Sequence, residues 1–151
     1  MANDLDALYQ EIILEHNRRP KNFGELPGAD AQVAGRNPLC GDEITLWIDF
    51  DGERIADVKF VGSGCAVSKA SASMMTQAIK GKTRAEAAAM FDRVHELVVG
   101  KLPEDERKQR GQLAALSGVS KFPIRVKCAS LAWHALKQAL AGEGGPQVST
   151  E

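Results

Sequence analysis

The chain has 151 residues, of which 44% are hydrophobic and 26% charged, and its formal net charge is -1. This length provides for one hydrophobic core, so we predict a single domain, and the near-neutral charge argues against nucleic acid as a partner. No apolar run approaches the roughly 18 residues of a membrane span, and the first residues, Met1 to Asp4, lack the basic start of a signal peptide. We therefore expect a cytoplasmic protein with no membrane partner.

The first half of the chain predicts one helix and a small antiparallel sheet. Apolar residues recur at helical spacing over residues 4–16, and a short strand is predicted over residues 31–36. Apolar and polar residues then alternate over residues 44–50, Asp51-Gly52 is a turn signal, and residues 54–61 form the returning arm. Because the two ends of an antiparallel hairpin lie on the same side, residues just before its first strand and just after its second are predicted to be neighbours.

The second half of the chain predicts helices. The run over residues 66–80 has no helix breaker before Gly81, and a second helix is expected between Thr83 and Gly100. Pro123 can start a last helix that continues to about Ala141. The predicted fold class is therefore α+β, with a small antiparallel sheet of about three strands packed against several helices.

Two segments give a weaker pattern. Pro103 can open a short helix, but Gly111 and Gly118 are expected to break its continuation. The tail over residues 142–151 is predicted to be disordered, which leaves residues 1–141 as the folded domain.

The three cysteines of the chain, Cys40, Cys65 and Cys128, are widely separated in sequence. In a reducing compartment such cysteines are more often metal ligands or reactive thiols than disulfide partners. Cys65 and Cys128 fall at or near predicted helix starts, where the helix dipole favours a thiolate. Each cysteine lies beside glycine or at the end of an element, whereas a purely structural cysteine is expected on an apolar stripe.

A metal site follows from these positions. Asp42 is two residues from Cys40, and three thiolates with one carboxylate complete a tetrahedral set that suits zinc. The formal charge of such a site with Zn²⁺ is -2, and Arg125 and Lys127 lie close enough in sequence to offset part of it. The residues alone predict a metal site, and their spacing is less diagnostic than a doubled CxxC pattern.

Three motifs resemble a known family. They are Asn37-Pro38-Leu39-Cys40-Gly41-Asp42, the run from Gly62 to Met75 that begins Gly-Ser-Gly-Cys-Ala, and Arg125-Val126-Lys127-Cys128-Ala129-Ser130-Leu131-Ala132-Trp133. Together they are similar to the SufU proteins, which belong to the wider IscU/NifU N-terminal family of iron–sulfur cluster assembly. The resemblance runs from about Leu5 to Leu140. It implies an IscU/SufU-like fold with zinc held by Cys40, Asp42, Cys65 and Cys128.

The resemblance also implies an activity. SufU proteins accept persulfide sulfur from a SufS-type cysteine desulfurase, a pyridoxal-phosphate enzyme, and pass it on to downstream iron–sulfur scaffold proteins. The acceptor corresponds to Cys40, which must leave the metal to attack. The resemblance further implies that a histidine of the desulfurase serves as the replacement ligand, with Asp42, Cys65 and Cys128 holding zinc throughout.

Differences from the IscU-type scaffold branch of the family favour sulfur transfer over a scaffold function. Scaffold members carry a histidine directly before the last cysteine, where this chain has Lys127, and a Leu-Pro-Pro-Val-Lys chaperone segment that is replaced by residues 122–125. The segment over residues 100–118 resembles an insertion that distinguishes SufU. The main alternative is a non-enzymatic scaffold that assembles a transient [2Fe–2S] cluster, or binds iron, with the same four residues. A purely structural zinc site is a third possibility.

Among the remaining polar residues, Arg125 is the candidate for a second catalytic role, either by neutralising the site or by contacting the partner, with a plain surface charge as the alternative. The three histidines are expected to be surface or satisfied polar residues, not ligands. The serines that follow Cys65 are assigned to close helix packing, and Met74 and Met75 to the core.

Overall fold

A computed structural model of the chain describes residues 2–37, 41–103, 105–106, 111–141 and 147–149. In chain order its elements are helix α1 (Ala2–Arg18), strands β1 (Ala31–Asn37), β2 (Asp42–Asp51) and β3 (Arg54–Ser63), helices α2 (Ala66–Ile79) and α3 (Arg84–Val98), a 3-10 helix (Gly111–Lys121), helix α4 (Pro123–Ala141) and strand β4 (Gln147–Ser149). None of the described helices has the length and apolar content that crossing a membrane requires.

The sheet has the strand order β3-β2-β1-β4. Strands β1, β2 and β3 pair antiparallel, which confirms the predicted sheet of about three strands. The pairing of Asp51 with Arg54 makes Gly52 and Glu53 the two loop residues of the hairpin, one position later than the turn signal indicated, and the register shifts between Asp49 and Phe50. Gly52 has φ +61°, a left-handed conformation that favours glycine at this turn.

One face of the sheet packs against helices α2 and α4, and the core lies between these layers. The alternation predicted for β2 is seen in the complete burial of Leu46 and Ile48, while Thr45 is only partly buried; it fails at Trp47, which is buried as well. Met74 and Met75 are buried in the core as predicted. Helix α3 starts at a capping box, in which the Thr83 hydroxyl accepts from the Glu86 backbone N–H and the Glu86 carboxylate accepts from the Thr83 N–H. The bond from the Thr83 N–H to the carboxylate is the main cause that lowers the pKa of Glu86.

The segment after α3 differs from its prediction. Gly111 and Gly118 do not break the chain there, because both lie in the 3-10 helix, and Gly111 opens it with φ +60°. Leu113 and Leu116 of this helix are buried in the core, and burial compensates for the poorer hydrogen-bond geometry of a long 3-10 run. Of the short helix predicted at Pro103, Asp105 and Glu106 are helical, while Glu104 lies outside the described residues.

The described part of the C-terminal tail forms a strand, whereas the tail was predicted to be disordered. Residues Gln147–Ser149 form β4, which pairs parallel with Ala34, Gly35 and Arg36 of β1. The outer edge of β1 offers backbone N–H and C=O groups, and an extended segment satisfies them. The rest of the tail, residues 142–146 and 150–151, lies outside the described residues.

Candidate metal centre

The hairpin brings the carboxylate and one thiol together. Strand β2 begins at Asp42, and β3 ends at Ser63 opposite Glu43, so Gly64 and Cys65 lie beside Asp42. The Asp42 side chain is fully buried, and its Oδ1 accepts a hydrogen bond of 2.7 Å from the Cys65 backbone N–H. Its second oxygen, Oδ2, lies 3.6 Å from Cys65 Sγ. One oxygen thus fixes the carboxylate, and the other faces the thiol.

Gly64 makes this approach possible. Its φ is +126°, and a Cβ placed there would lie 2.7 Å from the Cα of Asp42 and in contact with the Asp42 carboxylate. Only a residue without a side chain fits at this distance, since real Cβ atoms do not approach backbone carbon so closely. The glycine before the cysteine therefore has a packing function in the site.

Cys65 is the N-cap of α2, as its predicted place at a helix start implies. Its sulfur accepts a hydrogen bond of 3.4 Å from the backbone N–H of Ser68. The unpaired N–H groups and the positive end of the helix dipole both favour negative charge at this position. The start of α2 therefore directs a hydrogen-bond donor at the Cys65 sulfur.

Cys128 reaches the same point from a distant part of the chain. It is buried, with 2% of its surface exposed, and it lies in the second turn of α4, not at the helix start. Because the helix dipole acts mainly within the first turn, it contributes little at Cys128, and the expectation that each cysteine lies beside glycine or at the end of an element is wrong for Cys128. Packing of α4 against β1 and α2 places it in the site.

The three side chains fit one metal ion. One ligand atom from each of Asp42, Cys65 and Cys128 lies within 4.8 Å of the others, the one such group of three or more among the described residues. For tetrahedral zinc, with Zn–O about 2.1 Å and Zn–S about 2.3 Å, an oxygen and a sulfur ligand are about 3.6 Å apart. The Asp42–Cys65 distance agrees with this value. An ionised carboxylate and thiolates accept hydrogen bonds only, so their convergence favours a cation.

The structure does not place two of the predicted site residues, Cys40 and Arg125, with the three converging side chains. Cys40 lies outside the described residues, so its role as a ligand and sulfur acceptor stays a prediction. Arg125 is in the first turn of α4 with an exposed side chain, and its guanidinium lies 5.0 Å from the centre of the Phe122 ring. Its catalytic role also stays a prediction.

Asn37 is a site residue to which the sequence analysis assigned no role. Its side chain is fully buried at the end of β1, where it is the cross-strand partner of Asp42, and its Nδ2–H donates to Cys128 Sγ at 3.8 Å. Asparagine is common in turns, so the sequence gives little reason to expect that an asparagine three residues before a predicted ligand is a buried hydrogen-bond donor.

The histidines lie on three different helices and away from the three ligands. His16 is buried and bonded through both ring nitrogens, to Ser73 Oγ at 2.7 Å and to Gln112 Oε1 at 2.7 Å. His95 and His134 pack around Phe91. Burial, and secondarily the charges of His95 and Lys137, lower the pKa of His134.

The serines after Cys65 have more specific contacts than close packing alone. The Ser71 hydroxyl donates to the Ala129 carbonyl at 2.6 Å and accepts from the indole N–H of Trp133 at 3.1 Å. These bonds tie α2 to α4, the two helices that carry Cys65 and Cys128. The described ligands are therefore held by a hydrogen-bonded helix pair.

Comparison with known proteins identifies relatives over most of the chain. Residues 8–129 match the family described as NifU-like N terminal domain. The chain is 46% identical to the zinc-dependent sulfurtransferase SufU of Bacillus subtilis (strain 168), over 94% of this chain and 95% of the relative. It is 43% identical to the iron-sulfur cluster assembly scaffold protein IscU of Streptococcus pyogenes serotype M1, over 97% and 91%.

A solved structure shows the same fold. The crystal structure of a putative iron-sulfur cluster assembly scaffold protein for the SUF system from Fervidobacterium islandicum AW-1 superposes with a TM-score of 0.79. It is 39% identical and covers 86% of this chain and 94% of that chain. The names of these relatives thus include both a sulfurtransferase and scaffolds, and percentage identity does not separate the two.

Proposed function

The chain belongs to the family of NifU-like N-terminal domains of iron–sulfur cluster assembly, and from this we propose that it is a zinc-dependent sulfur carrier that accepts persulfide sulfur on Cys40 from a cysteine desulfurase. The observation that carries the proposal is the convergence of Asp42, Cys65 and Cys128 on one point. Cys40 precedes Asp42 by two residues, so the covalent chain keeps their Cα atoms within roughly 7 Å.

The donor set fits zinc. Cys40, Asp42, Cys65 and Cys128 would hold it, and bound zinc keeps coordinated thiols deprotonated at neutral pH without redox chemistry of its own. The described ligands are supported from outside the site: the Cys65 N–H fixes Asp42, and Ser68 donates to Cys65. Such supporting bonds orient ligands and increase metal affinity.

The transfer step is an exchange of sulfur between thiols. The Cys40 thiolate, free of the metal, attacks the terminal sulfur of a persulfide on the desulfurase. The new S–S bond forms on Cys40 while the old S–S bond breaks, and the desulfurase cysteine leaves as a thiolate, so there is no net oxidation. A downstream scaffold protein removes the sulfur by the same exchange. The reducing cytoplasm in which we place the protein keeps such thiols available.

Differences among the cysteines explain why one of them would carry the sulfur. Cys128 is buried, and Cys65 is tied to the start of α2. In the sequence, Cys40 lies between Asn37, the last residue of β1, and Asp42, the first residue of β2. During transfer the desulfurase would supply a replacement ligand, while Asp42, Cys65 and Cys128 keep the metal.

A scaffold for a transient [2Fe–2S] cluster is the second candidate, and two observations favour it. The same thiolates are suitable cluster ligands, and the Streptococcus pyogenes relative is named as a scaffold. The position before the last cysteine argues for sulfur transfer, since Lys127 offers no ligand at neutral pH comparable to a histidine.

One experiment separates the two candidates. The metal content of the purified protein is measured, and its effect on the turnover of a SufS-type desulfurase is compared for the wild type, Cys40→Ser and Cys65→Ser. Sulfur transfer predicts bound zinc, faster turnover, and loss of both persulfide and activation in Cys40→Ser. Cys65→Ser is expected to lose zinc as well.

The matched control is Ser130→Ala, which removes a hydroxyl that is bonded to its own helix and should leave both properties unchanged. An iron chromophore without activation of the desulfurase would support the scaffold instead. A Cys40→Ser protein that still carried persulfide would contradict the proposed acceptor.

A further inference from the structure

Each of the two described thiols receives a hydrogen bond from an N–H group, but the donors differ in kind. The donor to Cys65 is the backbone N–H of Ser68, which any residue at that helix position would provide. The donor to Cys128 is the side-chain amide of Asn37. Only the second bond depends on the identity of a side chain, so it can be removed without changing the backbone.

Asn37 is held rigidly in position. It is the last residue of β1, its Cα is paired with that of Asp42 across the sheet, and none of its surface is exposed. Its amide therefore approaches Cys128 from the sheet, while α4 holds the cysteine from the other side. A buried amide on a paired strand loses little conformational entropy when it donates, which favours a persistent bond.

A donor of this kind changes the chemistry of the thiolate. Hydrogen bonds to an ionised acceptor are stronger than those between neutral groups, so the bond stabilises the negative charge on Cys128 sulfur. Attack on a persulfide spreads that charge into a new S–S bond, so the stabilisation is lost as the bond forms. The Asn37 amide therefore makes Cys128 a poorer nucleophile, and by fixing the orientation of its sulfur it supports Cys128 as a ligand.

We propose that Asn37 is a positioning residue that keeps Cys128 on the metal and directs sulfur to Cys40. The inference rests on the proposed function and adds a reason for the choice among three cysteines. Asn37 precedes Cys40 by three residues in the sequence. Asn37 thus ends strand β1 and holds Cys128 as the ligand that stays on the metal, while Cys40, the more reactive cysteine, follows it in the sequence.

Cobalt(II) replacement of zinc tests the bond directly. The near-ultraviolet thiolate-to-cobalt charge-transfer bands are compared for the wild type, Asn37→Leu and Asn37→Gln. The leucine variant keeps the number and branching of the side-chain heavy atoms and removes the donor, so its bands should move to longer wavelength, and zinc should bind about 10- to 100-fold more weakly. The glutamine variant keeps an amide and should shift less. Asn17→Leu, on α1, is the matched control and should match the wild type.

Mapping of persulfide after incubation with desulfurase and cysteine is the second readout. The wild type should carry the sulfur on Cys40, and Asn37→Leu should show an increased share on Cys128. If the wild type accepts no sulfur at all, the proposed function fails, while the cobalt spectra still decide the role of Asn37. Cobalt bands that are identical in the wild type and a folded Asn37→Leu protein would overturn the proposal.

A measurement on the wild type covers the case in which Asn37→Leu does not fold. In protein loaded with cadmium-113, the side-chain amide protons of Asn37 are observed by NMR. A scalar coupling between one of these protons and cadmium, transmitted through the Cys128 sulfur, is the expected result. Resolved Asn37 amide protons with no coupling and no shift on metal binding would contradict the bond.

Discussion

Two clusters of polar side chains in this protein differ in a way that separates structure from function. In the first cluster, Asp42, Cys65 and Cys128 converge. In their ionised forms these side chains can accept hydrogen bonds but cannot donate them. On the other side of α2, His16 bonds to Ser73 and Gln112 through both ring nitrogens. The second cluster pairs a histidine with a hydroxyl and an amide, whereas the first brings together a carboxylate and two cysteine sulfurs, which are ligand types that zinc prefers.

This difference shows how a site can be distinguished from a structural network. A histidine, a hydroxyl and an amide supply donors and acceptors to one another, so their hydrogen bonds need no ligand. A carboxylate and two cysteine sulfurs bring together the oxygen and sulfur ligands that a metal ion such as zinc binds. Three predictions test this contrast, and a fourth concerns His134, which belongs to neither cluster; they are given from the largest expected effect to the smallest.

Removal of the metal should destabilise the cluster of Asp42, Cys65 and Cys128 and leave the hydrogen bonds of His16 intact. Chelation is expected to lower the free energy of unfolding by several kcal/mol, with an upper limit on the order of 10 kcal/mol, because structural zinc contributes to folding. Urea unfolding with and without chelator measures the effect. A protein that already contains Asp42→Ala should lose much less on chelation, and unchanged stability of the wild type would contradict a metal site.

The substitution Gly64→Ala should disrupt the first cluster from within. The new Cβ would meet the backbone of Asp42, and φ +126° is strained for alanine, so we expect a loss of about 3 kcal/mol or more together with loss of zinc. Gly81→Ala is the matched control: its φ is +84° and no atom lies within 4 Å of the point that a Cβ would occupy, so it should cost about 1 kcal/mol and keep zinc. Equal effects of the two variants would argue against the close approach.

His16→Ala should damage the second cluster without affecting the metal. The variant loses two hydrogen bonds and leaves a cavity among α1, α2 and the 3-10 helix, for a cost of about 2–4 kcal/mol. Its zinc content should stay that of the wild type. His95→Ala, at an exposed position, should cost less than about 1 kcal/mol. Loss of zinc in His16→Ala would show that the clusters are coupled.

The pH dependence of stability should come partly from His134. Its pKa is lower in the folded protein than the ordinary value of 6.5, so the unfolded chain binds the proton first as pH falls. Stability is therefore lost as pH decreases below about 6.5 and levels off below the folded pKa. The ring is only half-buried, so we expect less than about 1 kcal/mol. Chemical unfolding from pH 8 to 5 should show a smaller decrease in His134→Gln, and an equal decrease would exclude this histidine as the cause.

The sequence predicted most of the secondary structure, since each element depends on local patterns. Alternation and a turn signal specified the β2–β3 hairpin, and the antiparallel pairing then required Asp42 and Cys65 to be neighbours. The 3-10 helix was missed because Gly111 and Gly118 are local helix breakers, and only burial of Leu113 and Leu116 outweighs that preference. Strand β4 was missed because three residues carry no usable periodicity.

The sequence by itself thus determined the hairpin, the main helices and the identity of the ligand types, because these follow from spacing and side-chain chemistry. Only the tertiary structure decided that Cys128 enters the site from the second turn of α4 and that Asn37 donates to its sulfur. Both depend on how a helix packs against a sheet formed some 90 residues earlier in the chain. Such packing is set by the fit of many side chains at once, and no short stretch of sequence contains it.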